Sequence, residues 1–153
     1  MLSWLAALHI IFVFYAFALT AGVGVVYGAI GRSLDVRAIR AASRIARPLL
    51  IAGSGLLVLG IVFGFGTAST ARYDLGSHWL LVTYVLVALL LILTGAVHAP
   101  FAARLRRAAD ACPDDQPSPQ LRALAEDRLA LAAGPLTGIV WLAIIVMMVV
   151  KPF

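Results

Sequence analysis

Charge is what this sequence lacks most: of 153 residues only 12% are Asp, Glu, Lys or Arg, whereas 63% are hydrophobic. A water-soluble domain of this size has too little interior to hide that much apolar surface, so a soluble enzyme is excluded. Cysteine is nearly missing as well. The lone Cys112 lies in a polar connection and is expected as a free thiol, which excludes a disulfide framework and a two-cysteine metal site. No acidic residue falls inside an apolar run, which disfavours a carboxylate proton relay or a sodium site. No serine or cysteine has a plausible base, and neither a phosphate-cradling glycine loop nor a zinc-type helix motif occurs.

What is present is four long apolar runs, at 2–30, 49–71, 79–103 and 129–150. Each supplies the roughly 20 residues that a helix rising about 1.5 Å per residue needs to cross about 30 Å of hydrocarbon. None alternates apolar and polar residues as a barrel wall would. The sequence therefore predicts an all-α fold, a polytopic membrane four-helix bundle in contact with the lipid bilayer, forming a single domain over 1–153. The first run has no basic residue before it and is too long for a secretory signal, so it is expected to be a retained helix.

The net charge of +5 comes from twelve basic and seven acidic residues, and their placement argues against nucleic acid. Arg32, Arg37, Arg40, Arg44 and Arg47 follow the first run; Arg104, Arg106, Arg107, Arg122 and Arg128 follow the third. Ten of the twelve thus share one side, which the positive-inside bias makes cytoplasmic, with both termini, Arg72, Asp74 and Lys151 outside. Trp4 and Trp79 suit the outer aromatic belt, and Trp141 is expected to pack deeper. Arg37, Arg40, Arg44 and Arg47 recur at spacings of three and four, a stripe along one helix face running toward Pro48. The stripe suits an orientation signal at the headgroups, or a surface for anionic lipid or an acidic partner. Pro48 is expected in the first turn of the second span. In the other connection CPDDQPSPQ marks a break, after which Ser118 and Pro119 should cap and start a helix running into the fourth span.

Small residues recur at helix-packing spacing: Gly24 and Gly28, then Gly53, Gly60 and Gly64, then Gly134 and Gly138. They permit close contact between helices, within one chain or along the seam of a homo-oligomer or a larger membrane complex. Gly134 with Pro135 is expected to loosen the start of the fourth helix.

The remaining candidates for chemistry are three histidines and two methionines. A neutral imidazole at membrane depth can ligate haem iron or copper, or carry a proton. His9 stands out because it shares a helix face with Ala16, Thr20 and Tyr27, a small and weakly polar stripe suited to the bundle interior. His98, beside Pro100 and Arg104, suits an interfacial role. His9 falls about 12 Å below the start of its helix and His98 about 29 Å below Trp79, so the two are poorly matched to one iron. His78 is nearer the outer side, but it lies about 200° around the helix from His98 by the 3.6-residue period, so the two cannot both face inward. Met147 and Met148, about 6 Å from the outer end of the fourth helix, match His9 more closely, so a His and Met pair for haem or copper(I) is allowed.

The segments WLAALHIIFVFYAFALTAGVGVVYG, RPLLIAGSGLLVLG, HWLLVTYVLVALL and IIVMMVVKPF give the chain a likeness over nearly its whole length. It resembles the bacterial predicted integral membrane proteins of unknown function related to the copper-resistance D-like membrane domains. More distantly it is similar to the four-helix bacterial protoporphyrinogen oxidase, whose first helix carries a tryptophan, a leucine-histidine pair and a hydrophobic run. That family's proline-arginine pair after the first helix and basic residue in the third are missing here. The resemblance therefore implies haem or porphyrin binding at His9 rather than the oxidase reaction. The resulting expectation is a multi-pass protein of the bacterial inner membrane that binds haem b or a porphyrin through His9, with Met147, Met148 or His78 as second ligand. A non-enzymatic accessory subunit of a larger membrane complex is the alternative expectation, and copper handling through His9 and the methionines is a third.

Overall fold

The computed structural model describes residues 4–151; the expected start of the first run at Leu2 and the terminal Pro152 lie outside the described residues. Every regular element among those residues is helical: α1 (Trp4–Ser33), α2 (Val36–Thr70), α3 (His78–Ile92), a π-helical segment (Leu93–His98), α4 (Ala99–Asp110), a 3₁₀ turn (Pro113–Asp115), α5 (Pro119–Ala125) and α6 (Arg128–Val150). Four stretches are long and apolar enough to cross a membrane: α1, α2, the continuous rod from α3 through α4, and α5 with α6. The bundle is two pairs. α1 packs along α2 and α3 along α6, with smaller contacts of α1 on α6 and of α2 on α4 joining the pairs.

α2 is longer than its apolar run. Asp35 caps it by accepting the Ala38 N–H at 3.0 Å, so the helix begins at Val36 and carries the arginine stripe as its first three turns. Pro48 is consequently interior, not in a first turn as expected; the helix runs through it, and the Arg44 carbonyl gives up its helical donor. The fourth span is interrupted where a continuous helix was expected. α5 starts as predicted, with Ser118 Oγ accepting the Leu121 N–H at 3.2 Å and Pro119 in the first turn, but it stops at Ala125. Asp127 then caps a new helix by accepting from the Leu129 and Ala130 N–H groups, which places Pro135 two turns inside α6.

Two cores result. In the bundle, Ala16, Leu90, Leu93, Val140, Trp141 and Ile144 are buried together, and Phe17 meets Trp141 edge to face at 5.3 Å. Beyond the arginine-rich end, Val36, Ile39, Leu105, Ala108, Ala109, Cys112 and Leu121 form a small cap between α2, α4 and α5. Cys112 is therefore buried rather than set in a polar connection, with its thiol donating to the Ala108 carbonyl at 3.2 Å. Outside these cores the helices are clothed in exposed Val, Leu, Ile and Phe, such as Val25, Val58, Val62, Val85 and Ile139. Water would not tolerate so continuous an apolar belt, whereas lipid is its natural solvent.

At the opposite end, Lys151 Nζ donates to the Tyr73 hydroxyl at 2.7 Å and lies over the rings of Tyr73 and Trp79. The end of α6 is thereby fastened to the connection between α2 and α3. Trp79, expected in the aromatic belt, is buried beneath this clasp, whereas Trp4 is 86% exposed.

Candidate functional site

His9 sits on α1 facing α2. Its Nδ1 lies 2.6 Å from the Gly60 carbonyl, and because a carbonyl only accepts, the proton is on Nδ1. In the neutral imidazole Nε2 then holds the lone pair. The ring is half-buried and lies against Gly64, where an added Cβ would come within 2.9 Å of His9 Cε1 and Nδ1. Gly60 admits α1 itself: a Cβ there would stand 2.7 Å from Val13 Cγ2 and 3.3 Å from the Val13 backbone nitrogen. Gly53, one further contact down the same face, approaches Thr20 and Leu19. These three glycines let the helices close until the imidazole reaches a main-chain carbonyl, and Phe12 stacks on Phe63 beside it at 5.4 Å.

The polar stripe read from the sequence is a true interhelical face. Thr20 donates to the Ala16 carbonyl at 2.8 Å, and Ala16 is fully buried. Tyr27 donates to Ser43 Oγ on α2 at 3.0 Å. His9, Thr20 and Tyr27 thus all meet α2 between Gly64 and Ser43, as an antiparallel pair requires.

On the α2 side His9 meets Gly60 and Gly64, which have no side chain to offer. His78 is exposed at the first position of α3, and Met147 and Met148 are half-buried on α6. Among the described residues no group of three or more His, Cys, Asp or Glu side chains is arranged to hold a metal ion. His98, expected at the interface, closes the π-helical segment and pairs with Thr137 on α6, Nε2 to Oγ1 at 2.8 Å. The Thr137 hydroxyl donates its own proton to the Ala133 carbonyl, so Nε2 is the donor in that pair. This bond ties the wide turn of the rod to α6, and neither the π segment nor the pairing has a local sequence signal.

The arginine stripe divides. Arg40 reaches the end of α4, donating to the Ala109 carbonyl at 3.0 and 2.9 Å and to the Cys112 carbonyl at 2.8 Å, and it pairs with Asp115 at 2.7 Å. It thereby adds charged donors to carbonyls at and just beyond the C-terminus of α4, of which that of Ala109 also accepts the Cys112 N–H at 3.2 Å. Arg37 pairs with the other Asp115 oxygen, and the hydrogen bond from Arg37, helped by the charge of Arg40, holds the Asp115 carboxyl below its ordinary range. Arg44 and Arg47 instead border an open groove with Arg106.

No curated protein and no solved structure matches the chain. A family model, described as a predicted integral membrane protein, DUF2269, matches residues 3–152. With a match that spans almost the entire four-helix bundle, the chain belongs to the DUF2269 family of predicted integral membrane proteins.

Proposed function

We propose that this protein resides in the bacterial inner membrane with its arginine-rich end cytoplasmic, and binds haem b or a porphyrin through His9 in a redox role. The observation that carries the reading is the 2.6 Å bond from His9 Nδ1 to the Gly60 carbonyl. A metal-ligating histidine characteristically donates its other ring N–H to a carbonyl or carboxylate, which fixes the tautomer and makes the free nitrogen more basic. A backbone carbonyl on an adjoining helix does this here, and Gly64 sets the ring's position. The residues fit one axial ligand, His9 Nε2. Haem bound there would supply one-electron chemistry, while this chain holds the imidazole in its donor-ready tautomer beside the stacked rings of Phe12 and Phe63.

The test is the visible spectrum of detergent-purified protein from haem-supplied cells, oxidised and then reduced. A Soret band with a reduced α band, lost in His9→Ala, is the expected result. A colourless, folded protein overturns it.

A second reading, an accessory subunit docking a larger membrane complex or a second copy, draws on different glycines. An added Cβ at Gly24, Gly28, Gly134 or Gly138 meets nothing within 4 Å, so these small residues on α1 and α6 are open to another helix. Gly138→Leu is expected to remove a co-purifying partner under that reading and to leave a monomeric pigment protein unaffected. Copper handling would draw on His9 with Met147 and Met148, and requires stoichiometric metal after purification.

A further inference from the structure

We infer that the groove between α2 and α4 is a binding site for the phosphate headgroup of an anionic membrane lipid. The groove is lined by Ser43, Arg44, Arg47, Pro48 and Ile51 of α2 and Arg106 of α4, and encloses about 460 Å³. Three guanidinium groups from two helices border one hollow with no acidic side chain among its lining residues. The ion pairs among the described residues both go to Asp115, from Arg37 and Arg40, so they consume the outer half of the stripe and leave the inner half free of them. Planar guanidinium forks suit a phosphate, which accepts two parallel hydrogen bonds from each.

Two features favour a lipid over a soluble anion. The groove lies where the stripe meets the apolar run, and its membrane-side wall is Ile51, 64% exposed, beside which an acyl chain can lie. Its floor also holds a buried hydroxyl. Ser43 is 3% exposed and accepts from Tyr27, so its own proton is available to a phosphate oxygen in the groove. The division of the stripe explains why four arginines recur on one face: two build the cap, and two serve the bilayer. This inference is independent of haem binding at His9.

The test uses the full chain purified in a zwitterionic or neutral detergent and titrated, by native mass spectrometry, with phosphatidylglycerol or phosphatidylcholine carrying the same acyl chains. Phosphatidylglycerol is expected to bind the unmodified protein at least about tenfold more tightly. Arg44→Gln and Arg106→Gln are each expected to weaken it on the order of fivefold, the effect of one basic residue at a membrane surface. The double variant R32Q/R122Q, matched in charge to R44Q/R106Q but outside the groove, is expected to bind as the unmodified protein does. Equal binding of the two lipids by the unmodified chain overturns the inference without reliance on any variant. So do undiminished binding by R44Q/R106Q, an equal loss in R32Q/R122Q, and full displacement by millimolar inorganic phosphate, which would mark a soluble-anion site.

Discussion

Gly64→Ala is a one-carbon change that should separate the His9 contact from ordinary helix packing. The new methyl would stand 2.9 Å from two ring atoms of His9, against the 3.4 to 4 Å of an ordinary contact, so the ring must move. Moving it breaks the 2.6 Å bond to the Gly60 carbonyl. A lost interhelical hydrogen bond in a membrane costs about 0.6–2 kcal/mol, and overpacking a close contact about 1–3 kcal/mol. Replacing glycine by alanine in a helix returns about 1 kcal/mol. The balance is a destabilisation of about 0.6–4 kcal/mol. Gly55→Ala is the control, because a Cβ there meets nothing within 4 Å and only the helix-propensity gain remains. Unfolding in mixed micelles, followed by far-ultraviolet circular dichroism, compares the two. If His9 also holds haem, Gly64→Ala should weaken pigment binding by about 10- to 100-fold through its displaced tautomer-fixing bond. Equal stability of Gly64→Ala and Gly55→Ala would refute the derived geometry of this face.

The cap at the arginine-rich end gives two further expectations. Arg40→Ala strips three hydrogen bonds from the Ala109 and Cys112 carbonyls and should loosen the cap by about 2 kcal/mol, raising the rate of maleimide labelling at buried Cys112 roughly 30-fold; an unchanged rate would show that the cap does not depend on Arg40. Asp115, whose folded pKa lies below its ordinary 3.8 because of Arg37 and then Arg40, stabilises the cap fully above that value. The contribution is lost as the pH falls through the lowered folded pKa. Amide hydrogen exchange in the 111–118 connection, each pH corrected for the intrinsic rate, should therefore lose protection progressively below pH 3.8 in the unmodified protein but not in Asp115→Asn, and parallel profiles would remove Asp115 from the linkage.

The number of spans, their apolar character and the side holding the arginines were all legible in the sequence, because hydropathy is a local sum over some 20 residues and lipid imposes it on each helix separately. So was the inward stripe of His9, Ala16, Thr20 and Tyr27, since the helical period alone puts those residues on one face. The cap at Ser118 was legible for a similar reason: its chemistry spans three residues. What the sequence by itself could not determine was the partner across each face. The Gly60 carbonyl that fixes the His9 tautomer lies 51 residues away, and the α4 carbonyls that occupy Arg40 lie 69 and 72 away. Periodicity therefore made four like arginines of a stripe that the fold divides between a helix cap and an open groove. Pro48 misled the placement of a helix start, because Asp35 caps an earlier turn and the helix runs on through the proline. Local composition decided which segments enter the membrane; only tertiary contact decided which imidazole nitrogen keeps its lone pair and which arginines stay free, since both depend on acceptors brought close by folding.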